Sequence, residues 1–330
     1  MSFDPDAPAP PGSLYGLPFT AANAKIVVVP VPWEATTSYR RGTAAGPANL
    51  VEASVQVDLF DVEYGEFWRA GIALAEEDPE IARWNTEAEP DALRVIETGG
   101  GAPESAARVN ALSERVNTSV YQSVCRILDQ GKLPALIGGD HSCPFGAIRA
   151  VAQRHPGVGV LHIDAHADLR VAYEGFTWSH ASILYNVSKC IDDVSRVVQV
   201  GIRDVGAAEV AMIRESEGRI CTFFDADLAQ TLASGGTWAA CAREIVESLP
   251  EDVYISFDVD GMDPSLCPTT GTPVPGGLSF RDVTVLLREL SRSRRIVGFD
   301  LNEIGPGEWD GNVAARVFYK LCGAALTSQR

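Results

Sequence analysis

The chain has 330 residues, 46% of them hydrophobic, and a formal net charge of −17. That balance excludes nucleic acid and an anionic membrane surface as partners, since binding phosphate needs a basic face, and no apolar stretch approaches the length of a membrane span. The seven cysteines are scattered, with no Cys-x-x-Cys pair, which points to reduced thiols in the cytoplasm and away from a zinc knuckle.

The opening residues are rich in Pro and lack both a basic start and an apolar signal core, so residues 1–24 read as a flexible tail ahead of one domain over 25–330. Ile26–Val29 is the first β-like run, and runs near Leu133, Val158, Val197, Ile220, Val253 and Ile296 continue the series. Amphipathic segments stand between them, among them Ser105–Gln130, Trp238–Ser248 and Phe280–Leu290. The acidic stretch Glu76–Glu89 reads as a surface loop or insertion, and Gly99-Gly100-Gly101 as a breaker that lacks the strand and spacing of a dinucleotide fingerprint. Alternating β and α segments predict a single-domain, three-layer αβα sandwich with a doubly wound, mainly parallel sheet. Ligands of such sheets sit beyond the carboxyl ends of the strands.

Three of those ends carry chemistry. Leu133–Ile137 exits through Gly-Gly to Asp140-His141-Ser142, Val158–Ile163 runs into Asp164-Ala165-His166-Ala167-Asp168, and Val253–Phe257 runs into Asp258-Val259-Asp260. If the backbone stays extended past the strand end, residues two apart share a face, so Asp164, His166 and Asp168 converge, as do Asp258 and Asp260. His141 reaches the same rim if the three strands are parallel neighbours. One Asp at a strand end is ordinarily a cap or turn former, but His141, Asp164, His166, Asp168, Asp258 and Asp260 together are costly to bury without a cation. They suffice for two divalent ions and hence for metal-activated water. Cys143 and His162 read as an inert buried thiol and a hydrogen-bonded core residue, and His155, before Pro156, as a surface turn.

With these motifs the chain resembles the ureohydrolase family of arginases, agmatinases and other guanidino-compound hydrolases. The matching segments are Gly-Gly-Asp-His-Ser, Asp-Ala-His-Ala-Asp and Ser-Phe-Asp-Val-Asp-Gly-Met-Asp-Pro, then Gly271-Thr272-Pro273 and Pro275-Gly276-Gly277, with Gly42-Thr43-Ala44-Ala45-Gly46-Pro47 near the start and Phe299-Asp300-Leu301-Asn302-Glu303 near the end. The resemblance implies that His141 and Asp168 hold one ion, His166 and Asp260 the other, and Asp164 and Asp258 bridge both. Hard carboxylate and imidazole ligands suit Mn2+, with Ni2+ compatible. It further implies hydrolysis of a small cationic guanidino compound to urea and an amine or ammonia by a metal-bridging hydroxide. In that scheme Asp168 orients the nucleophile, Glu303 pairs with the guanidinium, and His180 moves the proton to the departing amine. A homo-oligomer, trimer or hexamer, is implied by resemblance alone.

Substrate identity stays open at this point. Relatives that act on arginine use an Asn and an Asp where Arg170 and Gly206 stand here, which disfavours arginine itself. An amine tail would suit Glu174 or Glu209, a carboxylate tail Arg170, and a shortened pocket guanidine itself. Trp178 and Phe176 either close over the planar cation, a cation–π contact of roughly 1 kcal/mol, or pack the loop. Ala181 stands where many relatives follow the His with Gly, so His180 has a helix-start alternative. Of rival classes, a single-zinc deacetylase wants adjacent histidines, which are absent. A formimino-group hydrolase releasing formamide is the alternative, followed by a catalytically silent metal-binding homologue.

Overall fold

Short runs of β-branched residues pair side by side, and the segments between them coil back over the sheet faces. In chain order the computed structural model has β1 (Ile26–Val31), α1 (Gly46–Ser54), β2 (Ile72–Leu74), α2 (Pro79–Glu97), α3 (Pro103–Asp129), β3 (Leu133–Gly138), α4 (Phe145–Arg154), β4 (Val158–Ile163) and α5 (Ile183–Cys190). There follow β5 (Val194–Ile202), α6 (Ala207–Glu215), β6 (Ile220–Phe224), α7 (Asp225–Ala233), α8 (Trp238–Glu247), β7 (Asp252–Asp258), α9 (Phe280–Ser293), β8 (Arg295–Asn302) and α10 (Glu308–Thr327). The structure describes residues 3–10 and 12–329; Met1, Ser2 and Pro11 of the expected tail, and Arg330, lie outside the described residues.

The strands form one eight-stranded sheet in the order β2-β1-β3-β8-β7-β4-β5-β6. Every pairing is parallel. Side chains alternate between two cores: Ile26, Val28, Ile137, Leu161 and Ile163 join α1, α8, α9 and α10 on one face, while Val27, Val29, Leu136, Val158 and Val160 join α2, α3, α4 and α5 on the other. Burying each such side chain contributes about 1.5–3 kcal/mol, and with both faces covered the strand rims remain for ligands. The expected αβα sandwich is the observed fold.

Two expectations change. Glu76–Glu89 is not a loop: residues from Pro79 enter α2, where the Asp78 carboxylate accepts from the Glu80 amide at the N-cap. Ile81, Ala88, Ala92 and Val95 make a narrow buried stripe, too sparse among acidic residues to stand out by period. The N-terminal segment is also not tail throughout. Leu14, Tyr15 and Leu17 are buried, and the Tyr15 hydroxyl donates to the Ala315 carbonyl of α10 at 2.8 Å. Proline density disguised an anchor made by α1, whose Ser54 Oγ accepts from the Tyr15 amide at 2.9 Å, and by α10, three hundred residues away.

Candidate metal centre

β3, β8, β7 and β4 are consecutive in the sheet. Their registers run Ile137↔Leu301, Phe257↔Leu301 and Ile163↔Phe257, so they end at one level and deliver His141, Glu303, Asp258 and Asp164 to one rim. β3 is not a direct neighbour of β4 or β7, because β8 stands between them and adds Glu303.

The backbone does not stay extended, as the alternation argument requires. Asp168 has φ +54° and Glu303 φ +62°, a left-handed conformation uncommon for a side-chain-bearing residue and concentrated at functional sites. Asp260 lies in a 3-10 turn, Val259–Gly261, whose start the Asp258 carboxylate caps by accepting from the Asp260 amide at 2.8 Å. The carboxylates still converge, through turns rather than strand period.

Asp164 faces two ways. Its Oδ2 lies 2.9 Å from His141 Nδ1, and its Oδ1 lies 3.4 Å from His166 Nδ1. Asp168 Oδ2 and Asp258 Oδ2 stand 3.3 and 3.4 Å from the same His141 nitrogen, and Asp260 Oδ2 stands 3.1 Å from His166 Nδ1. All six sequence-derived candidates are thus brought together.

Hydrogen bonds behind the cluster orient it. Ser256 Oγ donates to Asp300 Oδ1 at 3.0 Å, so the hydroxyl accepts from His141 Nε2 at 3.0 Å and Nδ1 is turned toward the carboxylates. Gln199 Nε2 donates to His162 Nδ1 at 3.1 Å, which makes His162 Nε2 the donor to Asp164 Oδ2 at 2.8 Å. His162 therefore holds the two-faced carboxylate from behind.

The electrostatics call for cations. Burial, then the neighbouring Asp164, pushes the Asp168 carboxyl up to about 7. Burial raises Asp258 well above the usual range, with Asp260 and Asp164 adding to it. Burial depresses the His166 imidazole, but the charges of Asp260 and Asp164 outweigh it and push His166 up to about 12. His141 is likewise raised, its carboxylate partners overcoming burial. Protons collect where a divalent ion could be held: buried oxygen and nitrogen donors lie close together, and among the described residues no Arg or Lys pairs with these carboxylates.

Glu303 is held hard. Its amide donates to the Gly139 carbonyl at 2.8 Å, its carbonyl accepts from Thr270 Oγ1 at 2.7 Å, and its Oε1 accepts from the His141 amide at 2.9 Å. Oε2 is buried and has no hydrogen-bond partner among the described residues, so it is free for a ligand. A Cβ at Gly271 would stand 2.9 Å from it, and one at Gly139 would stand 1.9 Å from the Trp33 carbonyl oxygen. Gly139→Ala is accordingly expected to destabilise the protein by about 2–3 kcal/mol, measured by denaturant unfolding, since backbone must yield in a packed core. An unchanged midpoint would mean that the β3 exit relaxes freely.

A cavity of about 270 Å³ opens over the rim, lined by His166, Asp168, His180, Thr272, Tyr39, Tyr173, Arg170, Asp204 and Glu209 among others. Arg170 lies over the Tyr173 ring, 5.0 Å from its centroid. Glu209 lines the cavity but its oxygens are engaged: Oε1 accepts from the Leu169 amide at 2.9 Å and Oε2 from the Gly206 amide at 2.8 Å. Trp178 does not line the cavity; it packs at a tilt against Phe145 with centroids 4.8 Å apart and points its indole N–H toward Glu114, as a loop-packing residue does. Phe176 is wholly buried in the core. Tyr39, Tyr173 and Asp204 were not singled out from sequence, although Asp204 closes an Arg-Asp pair after β5 and bridges to His166 in the backbone. Among the described residues no helix is long and apolar enough to cross a membrane.

A family model described as "Arginase family" matches residues 24–327. The chain is 31% identical over 303 residues to an N(1)-aminopropylagmatine ureohydrolase of Thermus thermophilus, covering 91% of this chain and 90% of that one. It is 30% identical over 285 residues to the proclavaminate amidinohydrolase of Streptomyces clavuligerus, covering 85% and 80%. The crystal structure of agmatine ureohydrolase of Thermoplasma volcanium superposes with a TM-score of 0.72 at 26% identity, covering 94% of this chain and 92% of that one.

Proposed function

Because the chain belongs to the arginase family of metal-dependent ureohydrolases, we propose that it hydrolyses a small guanidino compound to urea and an amine or ammonia at the rim of β3, β8, β7 and β4. His141 and Asp168 would hold one divalent ion and His166 and Asp260 a second, with Asp164 and Asp258 within reach of both groups; Mn2+ would suit this donor set, as would Ni2+. When bound, the two cations supply a water-derived nucleophile near neutral pH, which a resonance-stabilised guanidinium requires. The observation that carries the reading is Asp164, with one oxygen toward each metal-ligating histidine.

The chain's own groups do the rest. Glu303 Oε2 takes the guanidinium in a charge-assisted contact and sets its carbon before the nucleophile. Asp168 accepts a hydrogen bond from the attacking water and orients it. His180 lines the same cavity, and its imidazole is depressed by burial, hence neutral and able to take a proton and return it to the departing nitrogen. A C–O bond forms and a C–N bond breaks, and the leaving nitrogen takes the proton.

Two residues lining the cavity select the substrate tail: Asp204 suits an amine and Arg170 a carboxylate. Protein loaded with manganese or nickel is expected to release urea from at least one of agmatine, guanidinobutyrate, guanidinopropionate, arginine and guanidine. With an amine-tailed substrate Asp204→Asn should raise KM about tenfold, and with a carboxylate-tailed one Arg170→Ala should do so, each the equivalent of ~1.4 kcal/mol. No urea across the panel, with formiminoglutamate consumed and formamide released, would replace this reading by the formimino-group hydrolase. All seven cysteines are unpaired, which supports a cytoplasmic setting. We assign residues 25–330 to one catalytic domain within a homotrimer or hexamer.

A further inference from the structure

Three rim segments meet behind His180. Thr36, fully buried, follows β1; Asp140 follows β3; His180 opens the 3-10 turn His180–Ser182 that leads into α5. Asp140 accepts four hydrogen bonds: Oδ2 from the Thr36 hydroxyl at 2.8 Å and the Thr36 amide at 3.1 Å, Oδ1 from the Ser142 amide at 3.0 Å and the Ser142 hydroxyl at 2.5 Å. Every partner donates, so the carboxylate is an acceptor only.

Thr36 has a single hydroxyl hydrogen, and it is committed to Asp140. Its two lone pairs face the His180 amide at 3.1 Å and the His180 ring nitrogen Nδ1 at 3.3 Å. With no hydrogen left on the oxygen, Nδ1 must be the donor. A neutral imidazole carries one N–H, so Nε2 is left as the lone-pair nitrogen. Nε2 makes no hydrogen bond to the protein among the described residues, and His180 lines the cavity. Ser179 Oγ accepts from the Ala181 amide and keeps its own hydrogen free, but at 3.5 Å it stands at the outer limit of a hydrogen bond to Nδ1 and is the longer and weaker of the two hydroxyl contacts.

We propose that Thr36 is a positioning residue: through an Asp140–Thr36–His180 chain of hydrogen bonds it sets the tautomer of His180, so that an unprotonated Nε2 faces the substrate cavity. A histidine without such a partner distributes its proton over both nitrogens and offers the acceptor for only part of the time. The catalytic consequence rests on the function proposed above; the tautomer does not.

The test is carried out on the full chain loaded with zinc, a diamagnetic probe, with 15N-labelled histidine and long-range 1H–15N correlation. Only five histidines are present, and the signals of His180 are assigned by their loss in His180→Asn. The wild type is expected to show His180 protonated at Nδ1 alone. Thr36→Ser and Ser179→Ala should keep that state, and Thr36→Val should move the proton wholly or partly to Nε2. With whichever guanidino compound gives urea, Thr36→Val should lower kcat about tenfold with KM changed less than twofold, and Thr36→Ser should restore it. A wild-type His180 protonated at Nε2 overturns the proposal without recourse to any variant or activity, as does a Thr36→Val spectrum identical to wild type. Silence in the urea assay beside the expected spectrum overturns the guanidino hydrolase reading and leaves the tautomer assignment standing.

Discussion

Glu303→Gln is expected to keep its full complement of metal and lose about a hundred- to a thousandfold in kcat/KM, read by steady-state urea release beside elemental analysis. The substitution keeps side-chain volume, and Oε1 of the amide still accepts from the His141 N–H that Glu303 Oε1 accepts from now. What changes is the second position. Oε2, buried and without a partner among the described residues, becomes an NH2 that presents hydrogens to the hydrogens of a guanidinium. Burial first, then Asp258 and Asp140, raises the Glu303 carboxyl, and a substrate cation opposes that shift by favouring the ionised form. Losing one partner of a buried charge pair costs 2–5 kcal/mol, and each ~1.4 kcal/mol is tenfold. Near-wild-type turnover in Glu303→Gln would remove the carboxylate from substrate binding.

Asp258→Ala is expected to lose metal rather than chemistry alone. Metal per chain should fall by half or more, with affinity weaker by more than about a hundredfold, beyond the 10–100-fold typical of groups that only orient a ligand. Its Oδ2 lies 3.4 Å from His141 Nδ1 while Oδ1 caps the turn that carries Asp260, so the substitution removes one donor and loosens a second. Asp258→Asn separates these effects, because the amide oxygen can still accept from the Asp260 N–H. In metal-free protein Asp258→Asn should melt at or above wild type, since a carboxyl crowded by Asp260 and Asp164 is relieved. His141→Ala should lower metal content in the same way. Unchanged metal in Asp258→Ala would sink the bridging arrangement.

The metal candidates were legible because strand ends announce themselves: an apolar run of β-branched residues followed at once by Asp or His names both the element and its functional end. The same logic placed Glu303 only through resemblance, since Phe-Asp-Leu-Asn-Glu alone does not distinguish the buried Asp300 behind Ser256 from the carboxylate beyond it. Trp178 is ambiguous in the sequence for a related reason. An aromatic in a loop near a metal motif suits cation–π closure as well as core packing, and only Phe145 on α4 shows which it does. Glu209 is similar: its acidity is visible in the sequence, but the Leu169 and Gly206 amides that use its oxygens are not.

By itself the sequence determined the layered parallel fold, the six His and Asp candidates for a metal site and the class of chemistry they suit, because hydrophobic period and ligand type are local properties. Tertiary structure decided that β8 enters between β3 and β7, that Asp168 and Glu303 reach the centre through left-handed turns, and that Tyr15 is tied to α1 and α10. It also decided the Asp140–Thr36–His180 chain of hydrogen bonds. The physical reason is common to all of these. A hydrogen-bond partner, a backbone twist or a neighbouring strand is set by residues a hundred or more positions away, and nothing in the local pattern of charge and apolarity records which of them will arrive.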